Sequence, residues 1–161
     1  RNTCEESLAK LRSKYDRVQT LRDVNLAMIT DTLESSKAIK RCQHVIEEND
    51  RVVNFCKALE RRDYTNLGAL INASHKSLSE LYEVSTKEID YLVARSREIS
   101  NLEGSRIMGG GFGGCTINLV NGELSPTDIN KIKEDYYRET NMQLEINRVE
   151  AENGVRCKKI I

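Results

Sequence analysis

The sequence predicts an α+β domain, with helices packed on one side of a small, mainly antiparallel sheet. Three observations lead there. Apolar residues recur at helical spacing through most of the first hundred positions. Apolar and polar residues alternate over Cys115–Val120 and again over 142–149. Between the helical and alternating regimes lies GGGFGG, Gly109–Gly114, which holds five of the chain's 9 glycines. A length of 161 residues corresponds to one domain, 1–161, large enough to bury a substantial core.

The elements follow in order. The helical part spans 4–100. Cys4 to Lys14 has helical composition, and Arg17 to Ile29 reads as irregular. A long helix starts near Asp31 or Ser35. Its stripe is Ile39, Cys42, Ile46, Val53 and Cys56, with Val45, Val52 and Leu59 beside it, in the steps of an amphipathic face. Asp63 is an N-cap for a second helix, in which Leu67, Leu70, Ile71, Ser74, Leu78 and Leu81 recur at three and four. A shorter helix capped near Ser85 carries Ile89, Leu92, Val93 and Ile99. A strand–loop–strand unit then occupies 104–120. Ser105–Met108 forms its first strand. Cys115, Ile117 and Leu119 form the inward face of a half-buried second strand. Asn121–Glu123 is a turn. Ser125 caps a helix over 126–140 with Pro126 at its first position. The alternation in 142–149, with Leu144, Ile146 and Val149 inward, predicts a further strand. A last short strand is expected after a turn at Asn153–Gly154.

Composition narrows the function classes. Lys plus Arg equals Asp plus Glu, 25 each, so no basic surplus points to nucleic acid or an anionic membrane. No apolar run approaches the roughly 20 residues of a spanning helix. The first residue is not Met, so the expectation is a piece of a longer chain. The five cysteines are Cys4, Cys42, Cys56, Cys115 and Cys157, widely spaced and without a C-x-x-C pair. They read as free, mostly buried thiols in a reducing, cytoplasmic setting rather than as zinc ligands.

Gly109, Gly111 and Gly114 fit G-x-G-x-x-G, but the dinucleotide fingerprint needs a helix after the glycines, and a strand follows. A Walker A loop ends in G-K-[ST], whereas Cys115 and Thr116 follow Gly114. A protein-kinase loop sits between strands, but V-A-I-K, H-R-D and D-F-G are absent. What remains is a glycine-lined connection between two strands. It is either a tight turn packed beneath another domain or a nest of backbone N–H groups near a phosphate. Phe112 either pins the loop into an apolar pocket or lines a ligand site.

GSRIMGGGFGGCTINLV, Gly104–Val120, closely resembles the third sequence motif of galactokinases, members of the GHMP small-molecule kinase family. RCQHVIEENDRV (41–52) and DYTNLGALINASHKSLSELYEVSTKEIDYLV (63–93) resemble the helical segment before that motif, and SHKSL and YEVS favour galactokinase over other members. The resemblance runs from about Cys4 to Lys158. It implies the C-terminal domain of a two-lobed sugar kinase, which moves the γ-phosphoryl of ATP, with Mg²⁺, to the anomeric hydroxyl of galactose. It also implies a monomer in the full-length form, with galactose and ATP as its partners. The family's galactose signature, its second glycine- and serine-rich loop and its catalytic Asp have no match in this sequence. No catalytic residue is therefore carried over. Gly109, Gly110, Gly111, Phe112, Gly113 and Gly114 are carried over as the loop that closes on the phosphate and sugar sites. Where many relatives have Thr before the glycines, this chain has Met108, which removes a side-chain hydroxyl there.

Arg106, just before the loop, either pairs with a carboxylate across the lobe interface or reaches a phosphate. His44 and His75, the only histidines, read as packing or surface residues rather than metal ligands. Two other functions fit the resemblance: a non-catalytic sugar-responsive regulator or interaction module, and a GHMP kinase acting on another small alcohol. The fragment alone is expected to be inactive and to hold no cofactor tightly.

Overall fold

A computed structural model describes residues 2–150. Among the described residues there are six α-helices beside one antiparallel ribbon: α1 (Asn2–Lys14), α2 (Leu26–Thr32), α3 (Ser36–Glu60), α4 (Tyr64–Ser77), α5 (Lys87–Ser96) and α6 (Pro126–Thr140). The strands are β1 (Leu102–Met108) and β2 (Cys115–Val120). The expected α+β architecture stands. The last expected strand, after Asn153–Gly154, lies outside the described residues, as does Cys157.

The helix starts follow their caps. Ser35, Asp63 and Ser125 each accept a backbone N–H from the first turn of the helix they precede. The expected cap of α5 at Ser85 falls one residue later, where Thr86 accepts from Ile89 N. The stretch 17–29, expected to be irregular, is instead organised. Thr20 and Asp23 form a capping box around a 3₁₀ turn at Leu21–Asp23, and Asn25 caps α2. Val18, Val24, Ile29 and Leu33 enter the first core cluster with Leu11, Ala38 and Cys42. Their spacing follows no single period because this segment wraps around the α1–α3 contact.

The long amphipathic stripe of α3 is only half used. Cys42 is buried, with Ile39 and Ile46 packed against the same cluster, whereas Val52, Val53, Cys56 and Leu59 are exposed. The expectation of a mostly buried Cys56 is thereby corrected, and Cys115 is exposed as well. The cluster shared with α1 and α2 reaches Ile46, and beyond it Ala58 is the buried residue of the helix.

The ribbon is in register from Met108↔Cys115 through Arg106↔Ile117 to Gly104↔Leu119, then slips so that Leu102 faces Val120. Glu103 is the extra residue of this bulge. Facing residues share a side of the sheet. Ile107 enters a buried cluster with Ile89 and Val93 of α5. Arg106, Met108, Cys115 and Ile117 share the other side, where Cys115 and Ile117 are exposed. The expected inward face of β2 is thus the outward one. Alternation distinguishes two faces but does not say which of them receives the helix.

At the edge of β1 away from β2, α4 takes the place of a strand. Asn72 Oδ1 accepts from Ser105 N at 3.0 Å, and His75 Nδ1 accepts from Ile107 N at 3.2 Å. The two acceptors, three residues apart, share one face of α4, and the two donors, two apart, share one edge of β1. Gly68 and Gly104 permit this approach: a Cβ on Gly104 would lie 2.6 Å from Gly68 O, and one on Gly68 would overlap the Glu103 carbonyl.

The strand expected over 142–149 does not form; those residues have no strand pairing. Their alternation is nonetheless used. Leu144 and Ile146 pack on the cluster of Leu92, Ile132 and Tyr136 that joins α5 to α6. Arg95 Nε, bonded to Asp135 Oδ2 at 2.7 Å, ties the same two helices.

Candidate functional site

The ribbon delivers the glycine loop at its free end. Gly109, Gly111, Gly113 and Gly114 have φ of +92°, +89°, +116° and +94°. These values lie beyond the left-handed helical well, in a region that residues with a Cβ rarely enter. Phe112 itself is left-handed at φ +61°. Of the six loop amides, only that of Phe112 donates to a backbone carbonyl outside the ladder among the described residues, to Val84 O at 2.7 Å. Within those residues the glycine amides have no acceptor.

The loop meets the body at Val84. A Cβ added at Gly111 would stand 2.6 Å from Val84 Cβ and 2.8 Å from Val84 O. At Gly109, Gly110 and Gly113 an added Cβ would meet nothing within 4 Å. Phe112 is 77% exposed, so it does not pin the loop into an apolar pocket of this chain. With Met108 and Ile117, 45% and 41% exposed, it leaves an apolar surface around the loop end.

Val84 is placed by an unusual turn. α4 runs into a π-helical segment, Leu78–Tyr82, and Glu83 ends it in the left-handed conformation, φ 55° and ψ 50°. Val84 N closes the turn on Leu78 O at 3.1 Å. The helical pattern of Leu78 and Leu81 concealed this change of pitch, because apolar spacing alone does not separate an α turn from a π turn.

Arg106 pairs within this chain. Its Nη1 lies 3.2 Å from Glu48 Oε1 on α3 and donates to Ser74 Oγ on α4 at 2.9 Å, and Ser74 Oγ donates to the same Glu48 oxygen at 2.6 Å. Arg51 Nε holds the other Glu48 oxygen at 2.7 Å. Ser74 and Arg51 hold the Glu48 carboxyl below its ordinary range, against the burial that would raise it. The carboxylate partner foreseen for Arg106 exists, but it belongs to this domain. Composition could not reveal it, since Glu48 and Arg106 are 58 residues apart.

Both histidines are interior. His44 Nδ1 lies 2.8 Å from Ser77 Oγ, and its ring packs on Tyr82 with centroids 4.6 Å apart. Burial lowers the pKa of each below the usual histidine value. Among the described residues, no group of three or more His, Cys, Asp or Glu is arranged to hold a metal ion. No helix there is long and apolar enough to cross a membrane.

The family model for the C-terminal region of GHMP kinases matches residues 55–138, which include β1, the glycine loop, β2 and most of α6. The chain belongs to the GHMP kinase family. Within that family its curated relatives include galactokinases. That of Thermotoga petrophila is 37% identical over 155 residues, or 96% of this chain and 42% of the relative. Those of Bos taurus and Homo sapiens are both 38% identical, over 85% and 84% of this chain and 34% of each relative. The crystal structure of Lactococcus lactis galactokinase complexed with galactose aligns with a TM-score of 0.78 at 29% identity, covering 88% of this chain and 37% of that one. This GHMP kinase domain therefore spans well under half the length of the galactokinases it matches.

Proposed function

We propose that this GHMP domain is the C-terminal part of an ATP-dependent galactokinase and that its glycine loop faces the phosphate end of the active site. The supporting observation is the loop itself: five glycine amides with no acceptor among the described residues, four of them on backbone that only glycine adopts readily, at the free end of a ribbon. Such amides suit phosphate oxygens. The loop has no carboxylate and so does not suit Mg²⁺, whose ligands, together with the catalytic Asp and the sugar signature, are assigned to the rest of the protein.

In this reading ATP, when bound, supplies the γ-phosphoryl group, and galactose accepts it on its C1 hydroxyl. The chain's own residues contribute position and charge stabilisation, the main resources in phosphoryl transfer. Each amide turned to an anionic oxygen contributes about 1.5–3 kcal/mol. Arg106, bound to Glu48 and Ser74, fixes the base of the ribbon rather than reaching for phosphate. Met108, Phe112 and Ile117 give the remainder of the protein an apolar surface to close on. The working compartment is the cytoplasm.

The test is Gly111→Val in the complete protein. The new side chain meets Val84 and an unfavourable φ, so turnover is expected to fall by at least about a hundredfold with the far-UV circular dichroism unchanged. Wild-type kinetics in that variant would remove the loop from the active site.

A further inference from the structure

Arg41 lies on α3, far from the glycine loop in sequence and without contact to it. Its guanidinium nevertheless holds three consecutive residues of the turn that carries Val84. Nη1 donates to Leu81 O at 2.6 Å, Nη2 donates to Glu83 Oε2 at 2.6 Å, and the group lies over the Tyr82 ring at 5.4 Å from its centroid. The Arg41 side chain is 13% exposed, so these partners replace water for much of its charge.

The turn needs such a fastening. A π-helical segment is the least regular of the helical turns, and a left-handed glutamate at its end is strained. The next residue, Val84, joins the loop to the body: its carbonyl accepts from Phe112 N, and its side chain and carbonyl fill the space where Gly111 lacks a Cβ. The linkage is continuous, from the Arg41 guanidinium through Leu81, Tyr82 and Glu83 to Val84, and from Val84 to Gly111 and Phe112.

We propose that Arg41 is a positioning residue for the glycine loop: by fixing the π-helical turn it sets where Val84 holds Gly111 and Phe112. Arg41 touches no reacting group, and its effect on catalysis is entirely through Val84. Its consequence for turnover rests on the reading of the loop as part of the phosphate site; the clamp itself does not.

Two readouts in the complete protein separate these layers. Hydrogen–deuterium exchange at the Phe112 amide, which donates to Val84 O, reports the clamp, and steady-state kinetics report the loop's role. Arg41→Ala is expected to speed exchange of the Phe112 amide at least tenfold while β2 and the first half of α3 keep their protection. It is expected to lower kcat at least tenfold, with KM for ATP changed less than threefold. Arg41→Lys, which keeps the charge but not the two-pronged donation, is expected to recover part of both. Unchanged exchange at Phe112 in folded Arg41→Ala would overturn the clamp. Faster exchange with wild-type turnover would uphold the clamp and overturn the loop's part in catalysis. Should Arg41→Ala not fold, Glu83→Gln, on a half-exposed side chain, decides by the same two readings.

Discussion

His75 faces two different partners. Its Nδ1 accepts the Ile107 amide, so the neutral ring carries its proton on Nε2, which lies 3.1 Å from Asp90 Oδ1. Burial holds its pKa below the usual value, Asp90 opposes that shift, and Arg97 and Arg106 add to it. His44, also buried, is shifted the same way, with Glu48 and Glu47 opposing and Arg51 and Arg41 adding. A base whose folded pKa is depressed binds its proton more readily in the unfolded chain. Its contribution to stability is therefore complete above the unfolded value near 6.5 and declines as pH falls below it. Urea unfolding is expected to show stability dropping between pH 7 and 5, by at most about 1.4 kcal/mol per pH unit for each histidine. The double variant His44→Gln, His75→Gln should flatten that slope; a slope unchanged in it would assign the effect to other groups.

The contact of α4 with β1 is where an element depends on a missing side chain. Alanine at Gly68 would gain about 1 kcal/mol in helix propensity. It would also force the Glu103 backbone away, and overpacking of that kind costs about 1–3 kcal/mol, more where backbone must shift. Gly68→Ala is expected to be destabilising, seen as a lower urea midpoint at unchanged m; a rise in the midpoint would mean that the bulge at Glu103 yields easily. What could be read from the sequence at this scale was whatever a local signal sets. Asp63 and Ser125–Pro126 fixed helix starts because caps act within one turn, and Ser35 is the cap of a start that the pattern left open between Asp31 and Ser35. The glycine loop announced its backbone because so few residues adopt such φ values. What could not be read depends on partners elsewhere in the chain. Neither the outward side of β2, nor the unpaired course of 142–149, nor the π-helical turn has a local signature. Val84 was passed over within YEVS because a lone valine looks the same whether it fills a core or braces a loop.

At the scale of the whole molecule, the exposed apolar side chains of the described residues include two groups. One surrounds the loop end, at Met108, Phe112 and Ile117; the other is the second half of α3, at Val52, Val53 and Leu59. Both accord with a chain that spans 42% of a relative's length. Alone, the 161-residue chain is expected to produce no ADP from ATP in response to galactose in a coupled assay. Galactose-dependent turnover by the chain alone would place the catalytic groups inside it. The helix that seals β1 gives the ribbon a direction. Asn72 and His75 already occupy the donors on that margin, so a visiting strand would have to displace α4 to join there. Any widening of this sheet, whichever chain supplies the strand, has a single berth beside β2, and the fold thereby dictates on which side the assembly grows.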